Sequence, residues 1–306
     1  MQVYRRMVLT LAHARPIEQA IRRNGASKRL VSRFVAGEDL ESALAVARRL
    51  SRLNLMTTLD QLGEHVRTPA EATTASANYV RVLEALAASH LEPNISVKLT
   101  MLGLDLSDDV ARENMLPILA TARRVGGFVR IDMESSAYTE RTMRIFEDLH
   151  DTFPAEVGIV IQAYLRRARD DVERMIERRA RVRLVKGAYA EPESIAYQSS
   201  REIREQFRSL MELLLQHGTY PAIATHDESL IRATQEFASS RQIGPDRYEF
   251  QMLYGVRRDA QVALVADGYR MRIYVPFGSQ WYPYFVRRIA ERPANALFVL
   301  RQVIGG

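Results

Sequence analysis

The feature that most constrains this chain is an alternation, repeated eight times, of short β-prone runs with amphipathic helical stretches. The runs are LMTTLDQLG (55–63), NISVKL (94–99), FVRIDM (128–133), VGIVIQAYL (157–165), RVRLVKGAY (181–189), PAIATHD (221–227), YEFQML (248–253) and MRIYVPFG (271–278). Taken together they are rich in Val, Ile, Tyr and Phe, and most are bounded by Gly, Pro or Asp. Strand followed by helix, many times over, predicts an α/β fold whose parallel sheet closes into a (β/α)₈ barrel. A doubly wound open sheet is the alternative, and it would want a glycine-rich phosphate loop after an early strand. The chain carries neither GxGxxG nor GxxxxGK followed by Ser or Thr.

Local signals place several helices between the runs. Ser107 with Asp108 opens one that closes at Gly126 and Gly127, Thr139 with Glu140 opens another, and Asp227 caps the helix after the sixth run. The stretch 190–218 reads as one long helix with a break near its start. Helical patterns before the first strand (17–23, 27–36 and 39–53) make residues 1–54 an N-terminal segment packed on the barrel. Residues 55–306 form the barrel, and the whole is expected to be a single domain.

Composition narrows the function. No apolar run approaches the roughly 18 residues that span a bilayer, and the N-terminus lacks a secretory leader. Absence of cysteine excludes disulfides, thiolate ligands and a cysteine nucleophile, and is consistent with a cytoplasmic setting. The net charge of +6 raises the question of nucleic acid. However, the bases are interleaved with acids, as in ERTMRIFEDLHD, which is the pattern of solvated helix faces, so no nucleic-acid partner is expected. The six histidines show no metal-type pairing, and no metal is expected either. Only three of the 43 basic residues are lysines (Lys28, Lys98 and Lys186), so lysines at the ends of apolar strands stand out.

In such a barrel the active site lies at the C-terminal ends of the strands. Polar residues close nearly every run there: Asp60 and Glu64, Lys98, Asp132 and Glu134, Gln162, Arg183 and Lys186, Thr225 and His226, Gln251, and Tyr274. Buried charge is costly unless it is paired or used, so this ring predicts a polar ligand pocket. For Lys98 two readings stand: an ion pair with Asp132 that merely staples strands two and three, or a cation for an anionic substrate oriented by Asp132. Lys186 competes as a Schiff-base lysine of an aldolase-like barrel. His226 reads equally as a capping or core histidine. Gly187, without a Cβ, lets a flat ligand approach the backbone. On the last helix Arg287 and Arg288 stand among Trp281, Tyr282, Tyr284 and Phe285. They are either surface charge or a pair suited to bidentate carboxylate recognition.

The strings LDQLGE, SVKLT, RIDME, IQAYL, RLVKGAY, ATHD, FQMLYGV, YVPFG and RRIAERP resemble, in order and spacing, the motifs of proline dehydrogenases. The match runs from about residue 34 to 303, and the chain's brevity resembles the monofunctional bacterial enzymes. No room remains for the aldehyde dehydrogenase of the bifunctional type. The resemblance implies a distorted, TIM-like barrel with its last helix over the mouth, and a non-covalently bound FAD. It implies that Arg287, Arg288 and Lys98 hold the proline carboxylate and that Tyr274 packs on the ring. Leu184 and Tyr189 would shape the pocket, and Asp132 would support Lys98 and Tyr274. Arg183 would sit near the flavin, and Gln162, Val185, Gly187, Ala188, Thr225, His226, Gln251, Arg288 and Glu291 match positions that contact FAD. Glu64 with Arg287 matches a pair that closes the site. Within this set Lys98, Asp132, Arg183 and Tyr274 are the expected catalytic group.

The implied reaction is hydride transfer from L-proline to FAD, giving Δ1-pyrroline-5-carboxylate, the first step of proline catabolism to glutamate. A membrane quinone would reoxidise the flavin, and peripheral attachment to the inner face of the cell membrane is open. The resemblance also assigns Lys186 to the flavin-binding motif rather than to Schiff-base chemistry. Two departures stand out: Ala190 replaces an aromatic residue of the bifunctional enzymes, and Asp227 replaces an asparagine. Asp227 is therefore left out of the cofactor set.

Overall fold

The computed structural model describes residues 31–63 and 65–290. Its order of elements is α1 (Leu40–Ser51), β1 (Met56–Gln61), α2 (Pro69–Ala88), β2 (Asn94–Val97), a 3₁₀ turn (Leu99–Leu102), α3 (Asp108–Val125), β3 (Phe128–Ile131) and α4 (Ser136–Thr152). There follow β4 (Val157–Gln162), α5 (Ala168–Glu177), β5 (Arg181–Val185), α6 (Ser200–His217), β6 (Ala222–Ala224), α7 (Glu228–Ser240), β7 (Glu249–Leu253), α8 (Arg258–Ala266), β8 (Met271–Phe277) and α9 (Trp281–Ala290). The eight strands are parallel and close in sequence order, β8 pairing back onto β1 over Met56↔Arg272 to Gln61↔Phe277. This is the expected (β/α)₈ barrel.

Helix starts and stops follow local chemistry. Ser107 caps α3 by accepting from the Val110 amide, and Gly126 ends that helix in the left-handed region. Thr68 and Glu71 form a reciprocal capping box on α2, with Pro69 at its first position. Asp39 and Asp227 cap α1 and α7. α1 buries Ala43, Leu44, Val46, Ala47 and Leu50 and lies against β1 and β8. The expected patterns at 17–23 and 27–30 lie outside the described residues.

Two helix expectations need correction. The helix assigned to Thr139 begins at Ser136, because the Ser136 amide and hydroxyl both donate to Glu191, at 2.7 and 2.5 Å. The long helix of 190–218 begins only at Ser200. Residues 195–197 pair instead with the chain after β4, Arg166 N–H donating to Ile195 at 2.9 Å and Tyr197 N–H to Tyr164 at 2.8 Å. A backbone held in that bridge has its hydrogen bonds committed elsewhere and cannot be helical. The strands are also shorter than the runs, which extend past the barrel rim into the loops: β5 stops at Val185 and β4 at Gln162.

The interior departs from the apolar layers usual in such barrels. Side chains alternate across a strand, so residues two apart share a face. Arg130 and Asp132, Arg181 and Arg183, Glu249 and Gln251, and Arg272 and Tyr274 each stand two apart, one of each pair toward either end. Near the N-terminal end Arg272, 3% exposed at its side chain, donates to Glu249 at 2.8 and 3.0 Å and to Glu92 at 3.0 Å. Arg130 donates to the Ile159 and Arg181 carbonyls, and its guanidinium lies 4.8 Å from the Phe128 ring. Gly158 makes room for it, since a Cβ there would lie 2.5 Å from the Arg130 Nη1. Burial alone would push the Glu249 carboxyl up, yet Arg272 holds it down at about 2. Burial together with Arg183 and Arg181 lowers Arg130 well below its ordinary value.

Candidate active site

At the opposite, C-terminal end the strands carry the second charged layer. β1 brings in Asp60, the residue after β2 is Lys98, the residue after β3 is Asp132, β5 carries Arg183 and β8 carries Tyr274. Asp132 is their junction. Its Oδ1 accepts from Arg183 at 2.7 Å and its Oδ2 from the Tyr274 hydroxyl at 2.7 Å. Arg183 also donates to Ser96 at 3.0 Å, and its guanidinium lies 5.4 Å from the Tyr274 ring centroid. Burial, then Asp132 and Asp60, push the Tyr274 hydroxyl well above the ordinary tyrosine range, so it stays protonated as the donor.

Lys98 is brought into this group, paired with Asp132 as expected and with Asp60 more closely. Asp132 is 3.9 Å away, whereas Asp60 accepts from the Lys98 Nζ at 3.2 and 3.4 Å. The reason is that Asp132 already serves Arg183 and Tyr274. Asp60 belonged to the polar ring in sequence but had no assigned role. The signal for it was the two-residue spacing to Thr58, whose hydroxyl lies 3.4 Å from that of Ser96 inside the barrel.

The other expected residues divide. Gln162, 2% exposed, donates to the Glu134 carbonyl at 2.8 Å, and Glu134 accepts from the Thr100 amide and hydroxyl at 3.2 and 2.7 Å. Gln251 is buried and donates to Glu249, leaving its Oε1 without a hydrogen-bond partner. The Arg183 Nε is likewise unmatched. Thr225 is buried and accepts from the Asp227 amide at 3.1 Å. His226 braces β6 against β7: its Nε2 accepts from the Leu253 amide at 3.0 Å, which puts the ring proton on Nδ1. Leu184 is fully buried in the hydrophobic core, and the pleat turns it to the face opposite Arg183. Val185 takes the position on the same face as Arg183, half-buried at the end of β5.

Beyond β5, Lys186 pairs with Asp227 at 2.6 Å. Burial would raise the Asp227 carboxyl, but the bonds from Lys186 and Ser229 bring it to about 2. Gly187 has φ +107°, and a Cβ there would lie 2.1 Å from the Tyr164 ring. Packing against that ring is thus a reason for glycine beside the expected approach of a flat ligand. Gly187→Ala is expected to destabilise the fold by about 1–3 kcal/mol through strain and overlap. Chemical denaturation measures it, and an unchanged midpoint would contradict the packing account. Ala188 and Tyr189 follow on the surface, Tyr189 37% exposed.

On α9, Trp281, Tyr282, Tyr284 and Phe285 are buried, and Trp281 donates to Glu38 at 2.7 Å. Arg287 and Arg288 are half-buried, the latter's guanidinium 5.3 Å from the Tyr284 ring. The aromatic anchors are buried and hold this helix against the protein, as their sequence pattern suggested. Glu64 and Glu291 lie outside the described residues. A cavity of about 330 Å³ opens beside the ends of β1 and β8, lined by Gln61, Leu62, Met101, Phe277 and Gln280 among others. None of the expected substrate residues lines it, so we place the chemistry at the charged layer. Among the described residues no cluster of histidine, aspartate and glutamate has the makings of a metal site, and no helix is long and apolar enough to cross a membrane.

Residues 43–301 match the family model described as Proline dehydrogenase. Proline dehydrogenase 1 of Bacillus subtilis (strain 168) is 43% identical over 89% of this chain and 90% of its own length. The Proline dehydrogenase of Deinococcus radiodurans is 40% identical over 100% of this chain and 99% of its own. Among solved structures, proline utilization A from Bdellovibrio bacteriovorus, inactivated by N-propargylglycine, superposes with a TM-score of 0.81 at 28% identity. That match covers 87% of this chain but 33% of the larger protein.

Proposed function

The chain belongs to the proline dehydrogenase family, and from that premise we propose that it oxidises L-proline to Δ1-pyrroline-5-carboxylate with FAD as the bound cofactor and a quinone as the final acceptor. The observation that carries the reading is the charged layer at the C-terminal strand ends. There Asp132 accepts from both Arg183 and Tyr274, and Lys98 stands 3.9 Å away.

The residues present suit a flavin. Its ring system needs both hydrogen-bond donors and an acceptor, and the buried end of the barrel offers an unmatched donor at Arg183 Nε and an unmatched acceptor at Gln251 Oε1. Gln162, Arg183, Val185, Gly187, Ala188, Thr225, His226, Gln251 and Arg288 would hold it, with Glu291 from outside the described residues. When bound, the flavin supplies the two-electron acceptor for the hydride leaving proline C5.

The protein's own part is binding and orientation. Lys98, Arg287 and Arg288 hold the substrate carboxylate, arginine giving the planar two-point contact that lysine cannot. The Tyr274 ring packs on the pyrrolidine while its hydroxyl stays tied to Asp132. Tyr189 forms a wall, and Glu64 with Arg287 closes the site over the substrate. The amine must be neutral for its lone pair to assist hydride departure, so its proton leaves before or with the transfer. The imine product then takes up water and opens to glutamate semialdehyde.

The pairing of Lys186 with Asp227 favours this reading over a Schiff-base aldolase, since the lysine nitrogen donates to a carboxylate at 2.6 Å rather than being presented to a carbonyl substrate. The test is chromatography of the flavin released on denaturation, together with turnover of L-proline by a soluble quinone analogue. FAD and quinone reduction are the expected results. FMN would overturn the cofactor, and turnover with oxygen but no quinone would overturn the acceptor.

A further inference from the structure

We propose that Asp60 is a positioning residue for the substrate carboxylate: it fixes the Lys98 ammonium at the edge of the charged layer, so that the lysine meets the substrate in one orientation. The inference rests on the reading of Lys98 as a carboxylate-binding cation, and it transfers the steering of that cation from Asp132 to a residue on another strand.

The geometry divides the labour between the two acids. Both oxygens of Asp132 are engaged at 2.7 Å, one by Arg183 and the other by Tyr274. Lys98 is left 3.9 Å from the second of them. Asp60 instead turns both of its oxygens to the Lys98 Nζ, at 3.2 and 3.4 Å.

Asp60 is well built for holding a partner still. It is fully buried, on a six-residue strand paired on both sides. In the register it stands opposite Ser96 of β2 and Pro276 of β8. A carboxylate on such a rigid backbone gives up little conformational freedom when it binds an ammonium. Lys98 has four rotatable bonds and is 8% exposed, so without an anchor it would reach toward Asp132. An ammonium presents its protons tetrahedrally, and one anchored direction limits where the others point. Burial pushes the Asp60 carboxyl up while Lys98 opposes it, so the pair depends on close contact to stay ionised.

The charge count agrees. Asp60 and Asp132 balance Lys98 and Arg183, so the layer is neutral in itself. The arriving carboxylate is met by Arg287 and Arg288 from α9 and by the oriented dipole of the Lys98–Asp60 pair. Removing the charge of Asp60 lets Lys98 swing to Asp132, which leaves the substrate anion with a displaced partner while the bond from Arg183 to Asp132 persists.

The experiment is a cycle of Asp60→Asn, Lys98→Met and the double variant, each as flavin-loaded enzyme with KM for L-proline and kcat measured separately. Asp60→Asn is expected to raise KM roughly tenfold or more with a much smaller change in kcat, and the flavin spectrum is expected to be unaltered. In the Lys98→Met background the same substitution should add nothing further, because the effect acts through the lysine. If Lys98→Met raises KM and Asp60→Asn does not, or if the two effects add, the inference is overturned and the carboxylate role of Lys98 survives. If Lys98→Met leaves KM unchanged, that role falls and the inference with it. Should Asp60→Asn fail to fold, Asp60→Glu keeps the charge and shifts it by one methylene. A raised KM there supports the positioning role, and an unchanged KM overturns it.

Discussion

Arg288→Met raises the KM for L-proline roughly a hundredfold or more while the flavin stays bound. Truncating one partner of a hydrogen-bonded charge pair in a shielded site costs about 2–5 kcal/mol, and each 1.4 kcal/mol is about tenfold in affinity. Arg288 is half-buried, with its guanidinium 5.3 Å from the Tyr284 ring. Methionine keeps most of the stem that packs there but supplies no donor and no charge. Lys98 and Arg287 remain, so binding weakens without vanishing, and α9 keeps its aromatic anchors. Steady-state kinetics on the flavin-loaded variant gives the answer. An unchanged KM would contradict the carboxylate role of the paired arginines.

The second large effect is on stability and lies at the other end of the barrel. Glu249→Gln is expected to destabilise the protein by about 3–5 kcal/mol, because it removes the buried one of the two carboxylates on Arg272 and leaves that guanidinium only the half-exposed Glu92. That corresponds to a melting temperature lower by roughly 10 °C for a domain of this size. The effect carries a pH signature. The folded carboxyl is held at about 2, below its ordinary 4.5, so its stabilisation is fully present above about 4.5 and is lost as the pH falls toward about 2. Acid titration of the unfolding free energy should show that slope in the native chain and a flatter one in Glu249→Gln. Equal slopes would mean that Glu249 is not the anchor of the lower network.

These two variants separate the ends of one barrel, and their residues show how far the sequence could be read. The eight strands were legible because their β-prone runs alternate with helical stretches. Ser107, Gly126 and Asp227 were legible as caps because capping depends on a few neighbouring residues. The helix starts at Ser136 and Ser200 were not, since each is set by a distant partner: Glu191 for the first, and the chain around Tyr164 and Arg166 for the second.

The site shows the same boundary. That Asp132, Arg183, Tyr274 and Lys98 share one end of the barrel followed from strand ends, and the structure brings them together. That Asp60 is the nearer partner of Lys98 did not follow, because it depends on distances across the lumen. The lower layer was missed altogether, although Arg130, Arg181, Glu249 and Arg272 each stand two residues before a site residue. Reading Arg130 with Asp132, and Glu249 with Gln251, as one face would have revealed a charged lumen.

The central claim is that L-proline delivers its electrons to a flavin held in this barrel. The most direct measurement is the visible spectrum of the purified protein before and after anaerobic addition of L-proline. The account predicts flavin bands that bleach on addition and return when a quinone is admitted. A flavin spectrum that L-proline leaves unchanged, or a colourless protein that FAD does not reconstitute, would contradict it.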